Sequence, residues 1–482
     1  MLRKITPLIL FAFVLLFNFS CATNPVTGKK EFMLMSEEKE IATGKESDPG
    51  IVSFFGLYED NELQQFIEAK GKEMAKISHR PNLPYEFKIV DSPVINAFAV
   101  PGGFVYFTRG IMAHFNNEAE FAGVLGHEIG HVTARHSAQQ YSKSTLANVG
   151  LVAGSVLSPA FGEYADAAQQ GVGLLFLKFG RDDERQSDEL GAEYSSRIGY
   201  DAQEMAGFFE TLKRQRELSG GEQIPNFMSS HPDPAERNES VKQYATQWQT
   251  KLNMTDPKVN RDEYLRLIDG LVFGEDPRQG FVENSNFYHP TLKFTFSILT
   301  GWASQNSPQQ FQMGEPNGKA TMSLTLGNGS SAQAAADAFV TQYKLEVAES
   351  NSVKVNGLNA VALTADQADE SGVKVIRTRT YFIEYNNSVY VMMGISAFND
   401  FSSHASAMRN TMESFKALTD SEKLNRKPQR VKIVEVKSSA SLQSALQSFG
   451  VSAEQMNELS LLNGMQLTDQ VTKGMLIKVL GQ

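Results

Sequence analysis

Length, composition and charge set the first limits on what this chain does. It has 482 residues, of which 41% are hydrophobic and 21% are charged, so it has enough apolar material for the cores of two to four domains. Its net charge of −10, without a block of Lys or Arg, excludes nucleic acid as an expected partner.

The N-terminus has the pattern of a secretory signal peptide over residues 1–20. Basic Arg3 and Lys4 precede the apolar run ITPLILFAFVLLFNF, which is short for a membrane span. Cys21 follows and is the single cysteine of the sequence, which excludes an intramolecular disulfide. It resembles the lipid-carrying cysteine of bacterial lipoproteins, and the alternative is ordinary cleavage after Ala22. Export is expected in either case.

The first half of the chain predicts a mainly helical module with a few strands. Residues 24–50 form a polar lead-in within a lead-in segment over 21–56. Apolar spacing and turn residues then predict a helix over 57–79, a strand over 85–92, two strands within 95–110 around a Pro-Gly-Gly turn, and a helix over 116–137. Asn117, followed three residues later by Glu120, fits the capping-box pattern at the start of that helix.

Two apolar stretches rich in Gly and Ala lie within residues 145–180. Each is too short to span a bilayer, and we interpret them as buried or lid helices. Residues 181–255 have a helical pattern again, and a polar stretch over 250–262 closes the first module. The first module therefore extends over 57–255.

The second half of the chain has a different residue pattern. Residues 263–420 are rich in strand patterns, with helices expected near 331–346 and 402–416, and they look similar to the PsbP-like α/β sandwich. A solvated linker is expected over 418–430. The tail, 431–482, predicts strand, helix, helix and strand and resembles a LysM module, with SSAS where such modules usually begin with Gly-Asp-Thr.

The motif GHEIGH, residues 126–131, carries the chemistry. Residues four apart lie on one face of a helix, so His127 and His131 can bind one zinc ion through neutral ring nitrogens. Glu128 lies about 100° further round the axis. We expect it beside the water on the metal, where it can accept a proton as general base.

Two histidines do not complete a zinc site, and the third ligand must come from another part of the chain. His136 lies five residues past His131, about 140° round a continuing helix, so we expect it to point away. An acid-rich helix over 180–202 is the remaining source, and the residues alone leave Glu184, Asp183 and Glu193 open.

Four segments in order resemble the HtpX/BepA/LoiP-type zinc metallopeptidases, which are related to the CAAX-processing proteases: NAFAVPGGFVYFTRGI, LGHEIGHVTARH, RDDERQSDELGAEY and SSHPDPAER. The start CATNPVTGKKEFMLMSEEKEIA is similar to exported lipoprotein members, so the resemblance covers about residues 21–250. It implies that Glu184 is the third zinc ligand, with Ser187 in place of the usual Ala of E-x-x-A-D. It also implies that Asp188 orients a zinc histidine.

The resemblance leaves two roles open for His231, which lies in a His-Pro motif six residues before Arg237. Together they would stabilise the oxyanion that forms on the substrate carbonyl. Alternatively, His231 would occupy the fourth position on zinc and hold the enzyme latent. Separately, the NAFAV strand would pair with an extended substrate, and Asn96 would add a side-chain hydrogen bond.

The sequence thus predicts an α+β multidomain protein: a mainly helical zincin domain with a small sheet over 57–255, an α/β sandwich-like module over 263–420, and a small βααβ domain over 431–482. Its expected function is that of an exported metalloendopeptidase with one Zn²⁺ per chain, and the resemblance implies that it cleaves misfolded or poorly assembled envelope proteins. The alternative is an assembly or chaperone-like binding factor with a latent zinc site, and a weaker one is a cell-wall hydrolase. Expected contacts include a membrane, through the lipid, and peptidoglycan, through the tail. The outer membrane is favoured because Ala22, not Asp, follows the cysteine.

Overall fold

The computed structural model describes residues 21–151, 179–218, 227, 231, 234–369 and 371–482. The predicted signal peptide, 1–20, and residues 152–178 of the predicted lid region lie outside the described residues. None of the helices in the described ranges has both the length and the apolar composition that a membrane crossing requires.

The predicted lead-in is folded. Strands β1 (Cys21–Thr23) and β2 (Lys30–Phe32) form an antiparallel pair, and helix α1 (Glu37–Phe55) follows. The Ser36 hydroxyl caps α1 by accepting the Lys39 N–H, so the helix begins where a side chain satisfies a free donor. Glu40 of α1 is buried between Arg80 and Arg135. Since a buried acid needs such partners, these ion pairs attach the lead-in to the first module.

A small sheet forms one side of the first module. Its strands are β3 (Glu86–Val90), β4 (Ala97–Val100) and β5 (Phe104–Thr108), which confirms the three predicted strands. β3 runs parallel to β5 and β4 antiparallel to it, in the order β3-β5-β4. β4 therefore lies at an edge of the sheet. The turn before β5 needs glycine at 102, since φ is +88° there and a Cβ would lie 2.7 Å from the Glu40 carbonyl oxygen.

Helices make up the rest of the first module. They are α2 (Asn61–Ile77), α3 (Arg109–His114), α4 (Glu118–Thr133), α5 (His136–Leu151), α6 (Arg181–Arg197), α7 (Glu204–Leu218), α8 (Pro234–Lys251) and α9 (Arg261–Leu267).

Helix α4 is the centre of this module, and every residue of it is buried. Asn117 caps it as predicted, because its side chain accepts the Glu120 N–H at 2.8 Å. The predicted end of the helix is wrong. α4 stops at Thr133, Arg135 has φ +62°, and His136 begins α5. A residue in this left-handed conformation redirects the chain, so His136 lies on a different helix from His131.

Helix α4 packs closely against α6. A Cβ on Gly126 would lie 3.0 Å from Gly191 Cα, and one on Gly130 would lie 3.1 Å from Leu190 Cβ. The two glycines of GHEIGH therefore let the backbones approach closely. This contact brings the acidic helix to the histidines.

The second module contains most of the strands. A seven-stranded antiparallel sheet has the order β10-β11-β12-β16-β15-β14-β13, and a four-stranded sheet has the order β17-β9-β8-β7. Their strands are β7 (Phe281–Glu283), β8 (Asn286–His289), β9 (Phe294–Ser297), β10 (Ala303–Asn306), β11 (Gln310–Gly314), β12 (Ala320–Leu326), β13 (Glu346–Val355), β14 (Leu358–Ala368), β15 (Lys374–Tyr385), β16 (Ser388–Ala397) and β17 (Lys416–Ala417), with the short β6 (Val272–Phe273) before them. Helices α10 (Ala332–Gln342) and α11 (Phe401–Glu413) confirm the two predicted helices.

The tail has the predicted order of strand, helix, helix and strand. After the short helix α12 (Ser421–Leu424), it contains β18 (Gln429–Glu435), β19 (Ala440–Ser441), α13 (Leu442–Ser448), α14 (Met456–Leu462), β20 (Gln470–Val471) and β21 (Leu476–Gly481). β18 pairs with β21 and also with β6. Buried residues of the tail and of the first module form one apolar core, whereas the second module has separate clusters. The tail is therefore packed onto the first module. Its LysM identity stays a prediction.

Candidate metal centre

Four buried side chains meet where α4, α6 and the segment before α8 approach one another. The Nε2 atoms of His127 and His131 lie 3.0 Å apart. Glu184 of α6 faces both, with Oε2 3.7 Å from His127 Nε2 and Oε1 3.6 Å from His131 Nε2. His231 Nδ1 lies 3.2 Å from His127 Nε2 and 2.9 Å from Glu184 Oε1. One ligand atom from each of the four residues falls within 4.8 Å of the others.

This donor set fits zinc, which binds imidazole nitrogen and carboxylate oxygen in sites of four ligands. Zinc needs unprotonated imidazoles. Burial lowers the pKa of His127 to about 4, and burial together with the neighbouring histidines and Arg237 lowers the pKa of His131 well below its usual value. Burial alone would raise the pKa of Glu184, but His231 and Arg237 lower it, so the carboxylate is ionised. His127, His131 and Glu184 are therefore in the protonation states that the metal requires. Burial would lower the pKa of His231, but the Glu184 carboxylate raises it, which favours the protonated ring.

Glu128 lies beside this group without belonging to it. Its side chain is 1% exposed, and neither carboxylate oxygen has a hydrogen-bond partner among the described residues. Oε1 lies 3.6 Å from His231 Nε2. Burial raises the pKa of Glu128 to about 7, with His231 opposing that shift. A buried carboxyl group without a partner costs stability, so its placement here points to a role in proton transfer.

Residues 61–245 match the sequence profile of peptidase family M48. This region is a peptidase family M48 domain. The metallopeptidase resemblance of the four sequence segments is thereby confirmed, and zinc is the metal that this family uses.

Two of the curated proteins that are similar to this chain are proteases. The mitochondrial metalloendopeptidase OMA1 of Arabidopsis thaliana is 30% identical over 188 residues, which cover 39% of this chain and 37% of that protein. The beta-barrel assembly-enhancing protease of Escherichia coli (strain K12) is 30% identical over 264 residues, which cover 53% of this chain and 50% of that protein. This chain spans half of the length of these relatives or less.

Among solved structures, the cyanobacterial PsbP of Synechocystis sp. PCC 6803 aligns with 29% of this chain and 96% of its own chain. The sequence identity is 10% and the TM-score is 0.24. This TM-score is too low to assign a fold, so the PsbP-like interpretation of residues 263–420 stays a prediction.

Asp188 and Arg237 lie behind the ligands of the M48 domain. Asp188 Oδ1 is 2.9 Å from His127 Nδ1, where the sequence predicted that Asp188 orients a zinc histidine. Arg237 makes contacts of 2.7 and 2.8 Å with the two Asp188 oxygens and lies 3.0 Å from Glu184 Oε2. Burial would raise the pKa of Asp188, but Arg237 lowers it to about 2. The Arg237 guanidinium is thus directed at carboxylates.

His136 contributes no ligand atom to the four-residue group, as expected. It does not point away from the site, however. Its Nδ1 lies 3.0 Å from His131 Nδ1, on the side of that ring opposite the other ligands. The sequence pattern predicted one continuous helix here, whereas the chain turns at Arg135 and α5 brings His136 back to His131.

The rival acids are also outside the group. Asp183 Oδ1 lies 3.8 Å from His136 Nε2. Glu193 instead forms an ion pair with Arg197 at 3.1 Å, one turn further along α6. Among the three acids that the sequence left open, the structure therefore brings Glu184 to the histidines.

Asn96 lies directly before the edge strand β4. Its main chain pairs with Thr108, while its side-chain oxygen is buried and has no hydrogen-bond partner in the described part of the chain. The neighbouring Ile95 carbonyl accepts the Phe227 N–H at 3.2 Å, and the Phe227 ring stacks on His231 with centroids 4.6 Å apart. The segment that carries His231 thus contacts the start of the edge strand. The side chain of Cys21 lies outside the described part of the structure.

Proposed function

We propose that this chain is an exported, zinc-dependent metalloendopeptidase. The observation that carries the proposal is the Glu128 carboxylate, which has no hydrogen-bond partner among the described residues and is buried beside a His-His-Glu-His group in an M48 domain. A purely structural zinc site has no use for such a base, because its four ligands complete the coordination. Hydrolysis needs the base to accept a proton.

The ligands of the zinc ion are His127, His131 and Glu184. When bound there, zinc polarises the substrate carbonyl and lowers the pKa of its water. Glu128 takes the proton of that water and delivers it to the leaving amine. The same side chain would thus serve first as base and then as acid.

With its ring deprotonated, His231 would supply a fourth ligand to the metal and so hold the enzyme latent. One ligand atom of His231 belongs to the four-residue group, and its backbone N–H donates to the Phe227 carbonyl, which joins it to the residue that contacts the start of the edge strand. Substrate would displace the segment that carries His231. The alternative that the sequence left open is that the His231 imidazole, with Arg237, stabilises the oxyanion.

Asp188 and Arg237 act as positioning residues. Asp188 accepts the Nδ1–H of His127 and so directs the Nε2 lone pair at the metal. Arg237 holds both Asp188 and Glu184, so its charge is engaged before substrate arrives. A direct oxyanion role for Arg237 would require it to leave these carboxylates.

The substrates are proteins or peptides that bind in an extended form. The edge of β4 offers backbone hydrogen bonds, and the Asn96 side-chain oxygen is placed to accept a peptide N–H. Envelope protein quality control is the process that we propose, supported by relatives such as the beta-barrel assembly-enhancing protease. We further propose that the protein lies in the periplasm and that a lipid on Cys21 anchors it to a membrane, with the outer membrane favoured. Peptidoglycan binding by the tail belongs to the same proposal.

Casein cleavage by the mature protein tests this function. Wild-type protein with zinc is expected to cut casein, and Glu128→Gln and a chelator are each expected to abolish cutting. Zinc content must survive in Glu128→Gln, because that residue is not a ligand. If wild type binds zinc and cuts nothing, His231→Ala tests whether the His231 side chain holds the enzyme latent. Failure of that variant as well would overturn the endopeptidase and leave the binding factor.

A further inference from the structure

We propose that His136 is a positioning residue for the zinc site, acting with Gln186 to fix the tautomer of His131. The inference rests on the proposed zinc role of His131 and adds two residues to the site. Neither touches the metal-ligand atoms.

One ring nitrogen of His131 faces the other ligands. His131 Nε2 lies 3.0 Å from His127 Nε2 and 3.6 Å from Glu184 Oε1, so Nε2 is the atom that binds the metal. A neutral imidazole carries one proton, and a metal-binding nitrogen must be free of it. The proton of His131 therefore has to reside on Nδ1.

His131 Nδ1 lies 3.0 Å from His136 Nδ1, so one of these two nitrogens donates to the other. With the His131 proton on Nδ1, His136 must accept. Its own proton then resides on Nε2, which lies 2.9 Å from the Gln186 side-chain oxygen and donates to it. The three residues form one directed chain of hydrogen bonds, from His131 to His136 to Gln186.

The opposite direction is incompatible with a zinc site. If His136 Nδ1 carried the proton, His131 Nδ1 would accept it, and the His131 proton would occupy Nε2. The Gln186 oxygen opposes this tautomer, since it would face an unprotonated Nε2 of His136. The Ser187 hydroxyl, 3.3 Å from His136 Nδ1, can donate to the same nitrogen and reinforces its role as an acceptor.

Burial and stacking make the arrangement stiff. The His136 side chain is buried, being 2% exposed. Phe179 stacks on His131 with ring centroids 4.0 Å apart and an interplanar angle of 29°. The His131 ring is thus held by the stack and by the hydrogen bond from Nδ1. His127 has the corresponding support from Asp188 and Arg237, so each histidine of the motif has its own outer partner.

The test is zinc affinity, measured on the full mature chain by competition with a chromophoric chelator. His136→Leu removes the acceptor and is expected to weaken zinc binding about 10- to 100-fold, the usual effect of losing such a partner. His136→Asn keeps an acceptor near the position of Nδ1 and is expected to recover most of that loss. His114→Leu is the matched control, because His114 hydrogen-bonds the Gly110 carbonyl in the same domain and lies outside the ligand group. It should leave zinc affinity unchanged.

Gln186→Leu provides a second route if His136→Leu does not fold, since Gln186 is only partly buried. It should weaken zinc binding by a smaller factor, and Gln186→Glu, which keeps the acceptor, should not. Substituted Co²⁺ adds a spectroscopic readout: the visible absorption of a tetrahedral site should lose intensity in His136→Leu and regain it in His136→Asn.

Two results would overturn the inference. One is a zinc affinity of His136→Leu within twofold of wild type. The other is a folded His136→Asn that is as weak as His136→Leu, which would reduce the effect to packing. Neither result depends on peptide cleavage, so a wild-type chain that binds zinc but cuts no casein would reject the proposed function alone.

Discussion

Arg237 and Asp188 form a two-point ion pair directly behind the first histidine of the motif. Arg237 Nη2 lies 2.7 Å and Nε 2.8 Å from the two Asp188 oxygens, and both side chains are buried. Because the guanidinium also reaches Glu184 at 3.0 Å, one cation compensates two buried carboxylates. The ion pair therefore connects an outer support of the metal site with one of its ligands.

Removing the Arg237 side chain should destabilise the fold. Arg237→Leu leaves Asp188 and Glu184 without their buried counter-charge, and we expect the free energy of unfolding to fall by about 3–5 kcal/mol. Arg237→Lys should restore it only in part, since an ammonium does not bind both Asp188 oxygens in the same plane. Chemical denaturation measures the loss. Arg185→Leu is the control, because it removes an exposed ion pair with Asp182 on the same helix. A similar loss in both variants would argue against the buried pair.

If the His231 side chain blocks the fourth position on the metal, removing it should raise the rate of cleavage. His231→Ala frees the fourth position, so casein cleavage should rise severalfold if displacement of the imidazole limits the rate. Zinc binding should weaken, since one donor is lost. A drop in kcat with unchanged KM would instead assign His231 to the oxyanion. Initial rates at saturating and limiting casein separate these outcomes.

His114, which lies outside the ligand group, should make the free energy of unfolding sensitive to acid. Burial lowers its pKa from 6.5 to about 4, so the unfolded chain binds a proton more readily than the folded chain between these values. The stabilisation is therefore present above pH 6.5 and is lost as the pH falls towards 4. A shift of this size corresponds to about 3 kcal/mol. The difference in unfolding free energy between wild type and His114→Phe, followed from pH 7 to pH 4, should shrink or reverse by about that amount. A constant difference would contradict the prediction.

The tail should unfold together with the M48 domain. Leu462 and Ile477 are fully buried in the core that also contains Phe115 and Leu125 of the first module. Leu462→Ala should cost about 2–5 kcal/mol and lower the denaturant concentration at which zinc is released. Leu363→Ala, in a separate cluster of the second module, is the matched control and should leave zinc release unchanged. A tail that unfolds in its own transition, with zinc retained, would show that it is an independent module.

Replacing Asn96 should lower kcat/KM for the substrate and leave the free energy of unfolding almost unchanged. Its side-chain oxygen has no hydrogen-bond partner among the described residues, so Asn96→Ala gives up little in the free enzyme. A lost hydrogen bond to substrate is worth about 0.5–1.5 kcal/mol, so kcat/KM for casein should fall roughly 3- to 10-fold. Asn96→Asp retains an acceptor and should fall less. Unchanged cleavage by Asn96→Ala would remove this role.

Several site residues were predictable because local geometry decides them. His127, Glu128 and His131 are placed by one helix, and helical spacing alone puts the two histidines on one face. Asn117 was recognisable as the cap for the same reason, since its partner lies three residues away. Glu184 needed the family resemblance, because an acid-rich helix offers several candidates and its sequence does not say which acid faces α4.

The remaining contacts depend on how distant segments pack. His231 comes from a segment about a hundred residues beyond the motif, and its contacts with Glu184 and His127 follow from the approach of α4, α6 and the start of α8. His136 was misplaced because a single left-handed residue, Arg135, turns the chain and sends α5 back towards His131. Such a turn is a property of one residue and leaves no periodic signal.

The sequence by itself determined the motif helix, its cap, the small sheet and the order of elements in the tail, since each depends on residues within a few positions of one another. Glu184 and Asp188 were reached only through the family resemblance. Tertiary structure alone decided that His136 stands behind His131, that Arg237 holds both Asp188 and Glu184, and that the tail shares a core with the M48 domain. All but the first of these contacts join residues tens to hundreds of positions apart. They exist only once close helix packing has brought buried charges and apolar surfaces together.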